Sequence, residues 1–395
     1  MNYVRVKYIC WIYGFIILLG LLVLLQLTFK RFGSSQSLET TDHAQKMKNV
    51  DSDLTSPLLT LQNTINLMVK EYQLRSARSK TTKVQKGFKR DYKLPYCGDV
   101  KPFLLIEVHS SPESFTAREA IRVTWGQETN DINRMDLEKR LTWKTVFLVG
   151  KSQNETVNDL MVVESQRYQD IVIGDFLDTY RNLTYKTLLT LEWPVKYCRY
   201  AKYIMKTDED CYINVMPVIN LLAQYQRKTN PLYLGSIHWK NKPSRRKSSK
   251  FYVSSKEYRG IVYPPYAAGG GYVFTASLAP KLLHASESKP AFPMEDAYFG
   301  LLMQHIGVKP THQPLFLPYT FGRCELKKND KVTYEMWYDD SLCNIAVAMV
   351  IHDVRPHEKI TMHINVMTVH SVPSVCNHEK ERSSWKTDNC YFHHQ

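Results

Sequence analysis

The residues best placed to do chemistry are Asp208 and Asp210, which flank Glu209 at the end of an apolar run, Tyr203-Ile204-Met205-Lys206-Thr207. A short extended run that ends in acidic residues reads as a buried strand entering a loop. Both aspartates can then reach one divalent cation at the strand end. Hard oxygen donors there suit Mg²⁺ or Mn²⁺, the ions that hold a diphosphate. Glu209 is expected to point away, because alternate residues on an extended strand face opposite sides. The plain alternative for such a triplet is a solvated turn. Lys206 offers a cation either to phosphate or to Asp208. A second acidic pair, Glu295-Asp296, precedes the helix-like stretch Ala297 to Gln304. Read alone, that pair favours a helix dipole.

Arg118 and Arg122 are four apart on a predicted helix, so they share a face. Guanidinium forks match phosphate and nucleobase oxygens. The alternative is a structural ion pair with Glu119 or Asp175. Gly269, Gly270 and Gly271 stand between Pro264-Pro265 and an apolar strand. They permit backbone to approach a ligand, or they form a tight turn before the strand. No G-K-[ST] follows, so they are not a phosphate loop. Trp125 reads as core, and Cys211 as a small buried residue rather than a reactive thiol.

These residues need elements to hold them. Strand-like runs at Phe103 to Val108, Thr145 to Val149, Asp170 to Ile173 and Tyr203 to Lys206 alternate with helix-like runs. The helices are predicted at Phe115 to Val123, Val157 to Tyr168 and Tyr185 to Tyr197. Alternation of this kind argues for an α/β domain with a parallel-type sheet. Ligands bind such sheets at the carboxyl ends of the strands, where Asp208 and Asp210 fall. The globular part starts near Pro95, and no internal repeat is visible.

The stretch Tyr8 to Phe29 is almost wholly apolar. At about 1.5 Å per residue it spans roughly 33 Å, enough to cross a bilayer. It reads as an uncleaved signal anchor, with a cleaved signal peptide as the alternative. Residues 1–7 would form a short tail and 30–94 a stem. Within the stem, Ser56-Pro57 reads as a helix start. Leu58, Leu61, Ile65, Met68 and Tyr72 recur at heptad spacing. That stripe either self-associates, giving a homodimer, or rests on the main domain.

Of the eight cysteines, all but Cys10 follow the anchor, and no pair has C-x-x-C spacing. Disulfides in an oxidising lumen fit better than a zinc site. Sequons at Asn154 and Asn182 are candidates for glycosylation, although Thr184 could instead cap the helix that follows. The net charge of +14 concentrates at 75–93 and at 240–250. Those clusters read as a solvated stem and a mobile loop, or as attraction for anionic glycans or lipid head groups. The anchor argues against a nucleic-acid partner. The tail after Ser371 carries no reading.

In five ordered blocks the chain resembles the β-1,3-glycosyltransferase family, which includes β-1,3-galactosyl- and β-1,3-N-acetylglucosaminyltransferases. The blocks are REAIRVTWG (118–126), DFLDTYRNLTYKT (175–187), KYIMKTDEDCYINV (202–215), YPPYAAGGGYVF (263–274) and EDAYFG (295–300). With weaker matches around them, the likeness runs from about Pro102 to Val366. It implies a type II Golgi membrane protein whose GT-A-like domain, residues 95–370, lies in the lumen. It further implies Mn²⁺ or Mg²⁺ bridging the phosphates of a UDP-sugar, with Asp208 and Asp210 as ligands and Asp210 the more direct. His352, in MVIHDVRP, would be a further ligand, against the alternative of an ordinary buried histidine.

By the same resemblance Asp296 is the base that takes the acceptor proton in an inverting transfer. Glu295 then binds acceptor or orients the loop. Gly270 and Gly271 would line the cleft, with Arg118, Arg122, Lys206 and Asp208 on the donor side. The expected reaction moves galactose onto a terminal sugar of a glycoprotein or glycolipid glycan. N-acetylglucosaminyl or N-acetylgalactosaminyl transfer is the nearest alternative. A catalytically silent lumenal glycan-binding protein is the alternative from another class. The block Y-P-P-Y-A-x-G-G-G resembles the N-acetylglucosaminyl branch, while M-K-T-D and 251–263 resemble the galactosyl branch. Several relatives carry a cysteine where this chain has Ala267, so their disulfide there is absent. Cys97 and Cys198 match by position as a pair.

Overall fold

Apolar, partly β-branched runs build the sheet that carries the site. Strand β1 (Leu104–His109) is buried at every residue, as expected where helices cover both faces of a parallel sheet. In the computed structural model it lies between β2 (Trp143–Lys151) and β4 (Tyr203–Asp208), parallel to both. Strand β3 (Ile171–Leu177) continues the parallel set beyond β2. The described residues are 95–97, 101–127, 141–226, 230–317, 324–328, 331–335 and 342–371. The anchor at 8–29, the whole stem at 30–94 with its heptad stripe, and the tail after Ser371 fall outside them. Among the described residues no helix is long and apolar enough to cross a membrane.

Two short strands, β5 (Tyr212–Ile213) and β9 (Phe316–Leu317), belong to a second sheet completed by β12 (Val350–Ile351), in the order β5-β12-β9. The main sheet gains β6 (Tyr233–His238), β7 (Tyr266–Thr275) and β8 (Thr311–His312), giving the order β3-β2-β1-β4-β7-β6-β8. Strand β7 runs antiparallel to β4 and to β6. The expected α/β class with a mixed, mostly parallel sheet is what forms. Strands β10 (Cys324–Lys328) and β11 (Lys331–Glu335) pair antiparallel.

The helices are α1 (Phe115–Arg122), α2 (Glu155–Tyr168), α3 (Leu183–Tyr197), α4 (Val215–Tyr225), α5 (Ala279–Ser288), α6 (Glu295–His305), α7 (Leu342–Val347) and α8 (Pro356–Ser371). The Asn154 side chain accepts the Thr156 N–H at 3.0 Å and caps α2, as an N-cap asparagine should.

Alternation along β1 and β4 divides the core in two. Leu104, Ile106, Val108 and Met205 pack on one side of the sheet. Leu105 and Ile204 pack on the other, with Phe274 and Phe299. Each such side chain contributes about 1.5–3 kcal/mol on burial. The disulfide Cys97–Cys198 joins the segment before β1 to the end of α3.

One expectation is corrected here. The glycines 269–271 do not form a turn ahead of a strand; they lie inside β7, with Gly271 opposite Thr207 of β4. The space beside them is taken by side chains of the site, described next.

Candidate active site

Strand β4 delivers Asp208 to its carboxyl end, and the chain then turns. Glu209 points away from its neighbours, as alternation requires. It accepts the Ser114 hydroxyl at 2.7 Å, the Ser111 N–H at 3.1 Å and the Ser110 hydroxyl. The acidic loop is thereby tied to the segment after β1. From the other side the Val354 N–H donates to the Asp210 carbonyl at 2.6 Å. The short β12 strand, antiparallel to β5, sets that contact.

Three donor atoms converge on this loop: a carboxylate oxygen of Asp210, Sγ of Cys211 and a ring nitrogen of His352, all within 4.8 Å of one another. Asp210 Oδ2 lies 3.5 Å from His352 Nε2, and both side chains are partly open, at 49% and 31% exposure. His352 is therefore not an ordinary buried histidine. Burial raises the Asp210 pKa, His352 opposes the rise, and Asp208 adds to it. Oxygen and imidazole donors fit a divalent cation such as Mn²⁺. Buried Lys359 of α8 donates to the Val354 carbonyl behind the loop. Burial lowers its pKa against the pull of Asp210 and Glu209.

Lys206 connects this cluster to the second acidic pair. Its Nζ is 2.7 Å from Asp208 Oδ1, 2.8 Å from Glu295 Oε1 and 2.6 Å from the Gly269 carbonyl, and its side chain is 1% exposed. Burial works against the ammonium, but the two carboxylates outweigh it and hold the lysine charged. Glu295 Oε2 accepts the Thr187 hydroxyl at 2.9 Å. Both Glu295 oxygens are thus engaged within the protein.

Asp296 stands at the start of α6, half-buried, and accepts the Ala297 N–H at 2.7 Å. Loss of water around it, and then the charge of Glu295, push its pKa up to about 7. Consecutive glycines bring the two clusters together. A Cβ on Gly269 would lie 2.8 Å from Glu295 Oε1 and 3.8 Å from Asp296 Cβ, while one on Gly270 would lie 3.0 Å from the His352 ring. The cation-type cluster and the carboxylate pair therefore flank adjacent residues of one strand. Beside Lys206, and in register with it on β1, Glu107 is fully buried, and that burial pushes its carboxyl well above the usual carboxylate range.

A match to the Galactosyltransferase family spans residues 116–314, half of the chain. The chain belongs to this family. The β-1,3 enzymes within it are its relatives. Human "N-acetyllactosaminide beta-1,3-N-acetylglucosaminyltransferase 2" is 31% identical over 275 residues, which cover 68% of this chain and 64% of that protein. Human "Beta-1,3-galactosyltransferase 5" is 38% identical over 225 residues, covering 56% and 70%. Mouse "Beta-1,3-galactosyltransferase 1" is 33% identical over 257 residues, covering 65% and 72%.

Within this galactosyltransferase-family domain, some expected residues stand elsewhere. Arg118 and Arg122 share a helix face as read, but neither guanidinium faces the cleft. Arg118 is fully buried, forked onto Glu164 at 2.6 and 2.9 Å, with its third nitrogen on the Ser111 carbonyl and Ser110 hydroxyl. Arg122 holds Asp170 at 2.7 and 2.9 Å and Glu164 at 2.7 Å. The donor-side expectation for both is corrected to a structural ion-pair network. Its partners are Glu164 and Asp170, with Glu119 at 3.4 Å from Arg122. Asp175 pairs instead with Lys151.

Thr184 does not cap α3: it is buried and donates to the Phe292 carbonyl at 2.6 Å. Asn182 donates to the Leu177 carbonyl at 2.9 Å, and Asn154 is exposed. In the second basic cluster Arg245 ties the loop together, donating to the carbonyls of Val253, Tyr258 and Gly260, although it is exposed, as are Lys242, Arg246, Lys247 and Lys250. Sequence reasoning missed Lys359, Thr187 and Glu164, which no local pattern marks. It also missed Tyr180, 43% exposed, whose phenol is pushed up to about 12 by burial and then by Asp296, Glu295 and Asp208.

Proposed function

We propose that this chain transfers a sugar, preferably galactose, from a UDP-sugar to a terminal sugar of a glycoprotein or glycolipid glycan, forming a β-1,3 linkage with inversion. The observation that carries the reading is Lys206, one buried ammonium bound at once to Asp208 and Glu295. It makes one site of the two acidic pairs. Asp210 and His352, with Asp208 beside them, would hold Mn²⁺ or Mg²⁺. When bound, that ion offsets charge developing on the departing UDP.

Asp296 accepts the proton of the attacking hydroxyl, its carboxyl poised near neutrality as a general base requires. Glu295 does not act on the sugar in this reading. It positions α6 and keeps Lys206 in place. Gly269 and Gly270 let the strand pass close beneath both groups. Relatives of both donor types keep N-acetylglucosaminyl transfer as the second reading.

The fold class proposed is GT-A-like. The anchor at 8–29 and stem at 30–94 would fix residues 95–370 in the Golgi lumen. The Cys97–Cys198 disulfide suits an oxidising compartment. Asn154 and Asn182 are the proposed glycan acceptors.

The full chain in detergent, given Mn²⁺ and individual UDP-sugars, is expected to hydrolyse one of them slowly without acceptor. Asp296→Asn should keep UDP binding and lose transfer by roughly 10²–10⁴-fold. Normal turnover by that variant would remove Asp296 as the base. No binding of any UDP-sugar would favour a silent glycan-binding protein.

A further inference from the structure

We infer that Cys211 gives the acidic loop a second, softer ion-binding mode, in which Asp210, Cys211 and His352 together hold a thiophilic divalent cation such as Zn²⁺ or Cd²⁺. The inference shares Asp210 and His352 with the proposed function but does not depend on sugar transfer.

Three different donor atoms meet here. His352 Nε2 is 3.5 Å from Asp210 Oδ2, and Cys211 Sγ is 3.8 Å from Asp210 Oδ1. Around a tetrahedral Zn²⁺, with bonds of about 2.0–2.3 Å, neighbouring ligand atoms lie roughly 3.3–3.8 Å apart. The imidazole–carboxylate spacing falls in that range as it stands. The sulfur meets the other carboxylate oxygen, and with one donor atom per residue all three lie within 4.8 Å, so a turn of the Asp210 carboxylate would bring the set onto one ion. Cys211 is buried and forms no disulfide, and its Sγ donates to the Gly270 carbonyl at 2.9 Å.

On capture the thiol releases its proton to solvent and a sulfur–metal bond replaces the contact with Gly270. One carboxylate and one thiolate then balance the two charges of the ion, with the imidazole neutral. A balanced site suits partly buried ground. The set of one oxygen, one nitrogen and one sulfur is a zinc-type set, whereas Mn²⁺ and Mg²⁺ favour oxygen and hold thiolate weakly.

Glycine at 270 is what admits the third ligand, since a Cβ there would lie 3.0 Å from the His352 ring. In this mode Asp210 is drawn toward the sulfur and is no longer offered to a nucleotide-bound hard ion. Zn²⁺ would therefore compete with Mn²⁺ at the same loop rather than substitute for it.

The test uses the full chain in detergent, without nucleotide or sugar, titrated with Co²⁺ as a spectroscopic probe and then with Cd²⁺. The chain has eight cysteines, so the reading is the wild-type spectrum minus that of Cys211→Ala. A thiolate-to-cobalt charge-transfer band is expected in the difference spectrum. Cd²⁺ affinity should fall by roughly tenfold or more in Cys211→Ala and in His352→Ala, while the response of Cys211→Ala to Mn²⁺ shifts by less than about threefold.

Cys211→Ser keeps a donor to the Gly270 carbonyl, and it too should lack the band if sulfur is the ligand. Identical spectra and Cd²⁺ affinities in wild type and both Cys211 variants would overturn the inference. Because no sugar nucleotide enters the assay, a failure of the transferase reading would leave this result standing, and the reverse holds as well.

Discussion

Asp296 owes its proton affinity to two influences that can be separated. Burial raises it, and the neighbouring Glu295 raises it further, to about 7. A base must be unprotonated to accept a proton. The rate of transfer should therefore climb with pH, about tenfold per unit on the acid side, and level off above about 7. Removing the Glu295 charge removes one cause of the rise and leaves Lys206, which lowers the Asp296 pKa, less neutralised. Glu295→Gln is thus expected to move the acid limb to lower pH, read from kcat/KM profiles of both proteins. An unmoved or upward-shifted limb would mean that another group titrates. Single residues were unevenly legible from sequence. The carboxylates and His352 could be named because strand ends and family blocks mark them. Arg118 could not be assigned correctly, because spacing on α1 shows which face it shares but not that Glu164 of α2 lies beneath it.

At the scale of elements, hydrophobic runs marked β1 to β4 and helices α1 to α3 to within a few residues. What escaped was short or dependent on contact. Strands β5, β9 and β12 are two residues each, too brief to show a period. Yet β12 is what carries His352 to the acidic loop. Strand β7 escaped in part because three glycines read as a turn, while in the fold they clear room for Glu295, His352 and Val350. A methyl group on Gly270 would meet the edge of the His352 ring, a side chain with solvent on one side and room to yield. Gly270→Ala should therefore fold while losing affinity for Mn²⁺ by roughly tenfold. Gly300→Ala is the contrast. Its methyl would lie 2.4 Å from Tyr266 Cβ and 3.0 Å from the Pro265 carbonyl, where α6 rests on the start of β7. Overpacking there should cost about 1–3 kcal/mol of stability. Isothermal titration with Mn²⁺ and thermal melts separate the two. Equal losses in both assays for both variants would show that the glycines do only one job.

At the scale of the whole domain, the disulfide and the chemistry occupy opposite ends of the same strands. Cys97 precedes β1 and Cys198 ends α3, just before β4. The bridge therefore ties the amino ends of two strands that lie parallel and adjacent. Asp208 is at the carboxyl end of β4, five residues on from Tyr203, or roughly 17 Å at the usual rise per residue. The cross-link closes a loop of sequence separation 101. Removing a link of that span relieves the unfolded chain of a large constraint and should cost about 2–5 kcal/mol. The double variant Cys97→Ser/Cys198→Ser is expected to melt at clearly lower temperature. At a temperature where it remains folded, its Mn²⁺ and UDP affinities should stay within about threefold of wild type, because neither sulfur approaches the acidic loop and Lys206 keeps its carboxylates. Calorimetry and nucleotide titration of the same preparation make the comparison. Ion affinity lost together with stability, in protein still folded, would show that strain at the amino ends of β1 and β4 travels the length of the strands to the site.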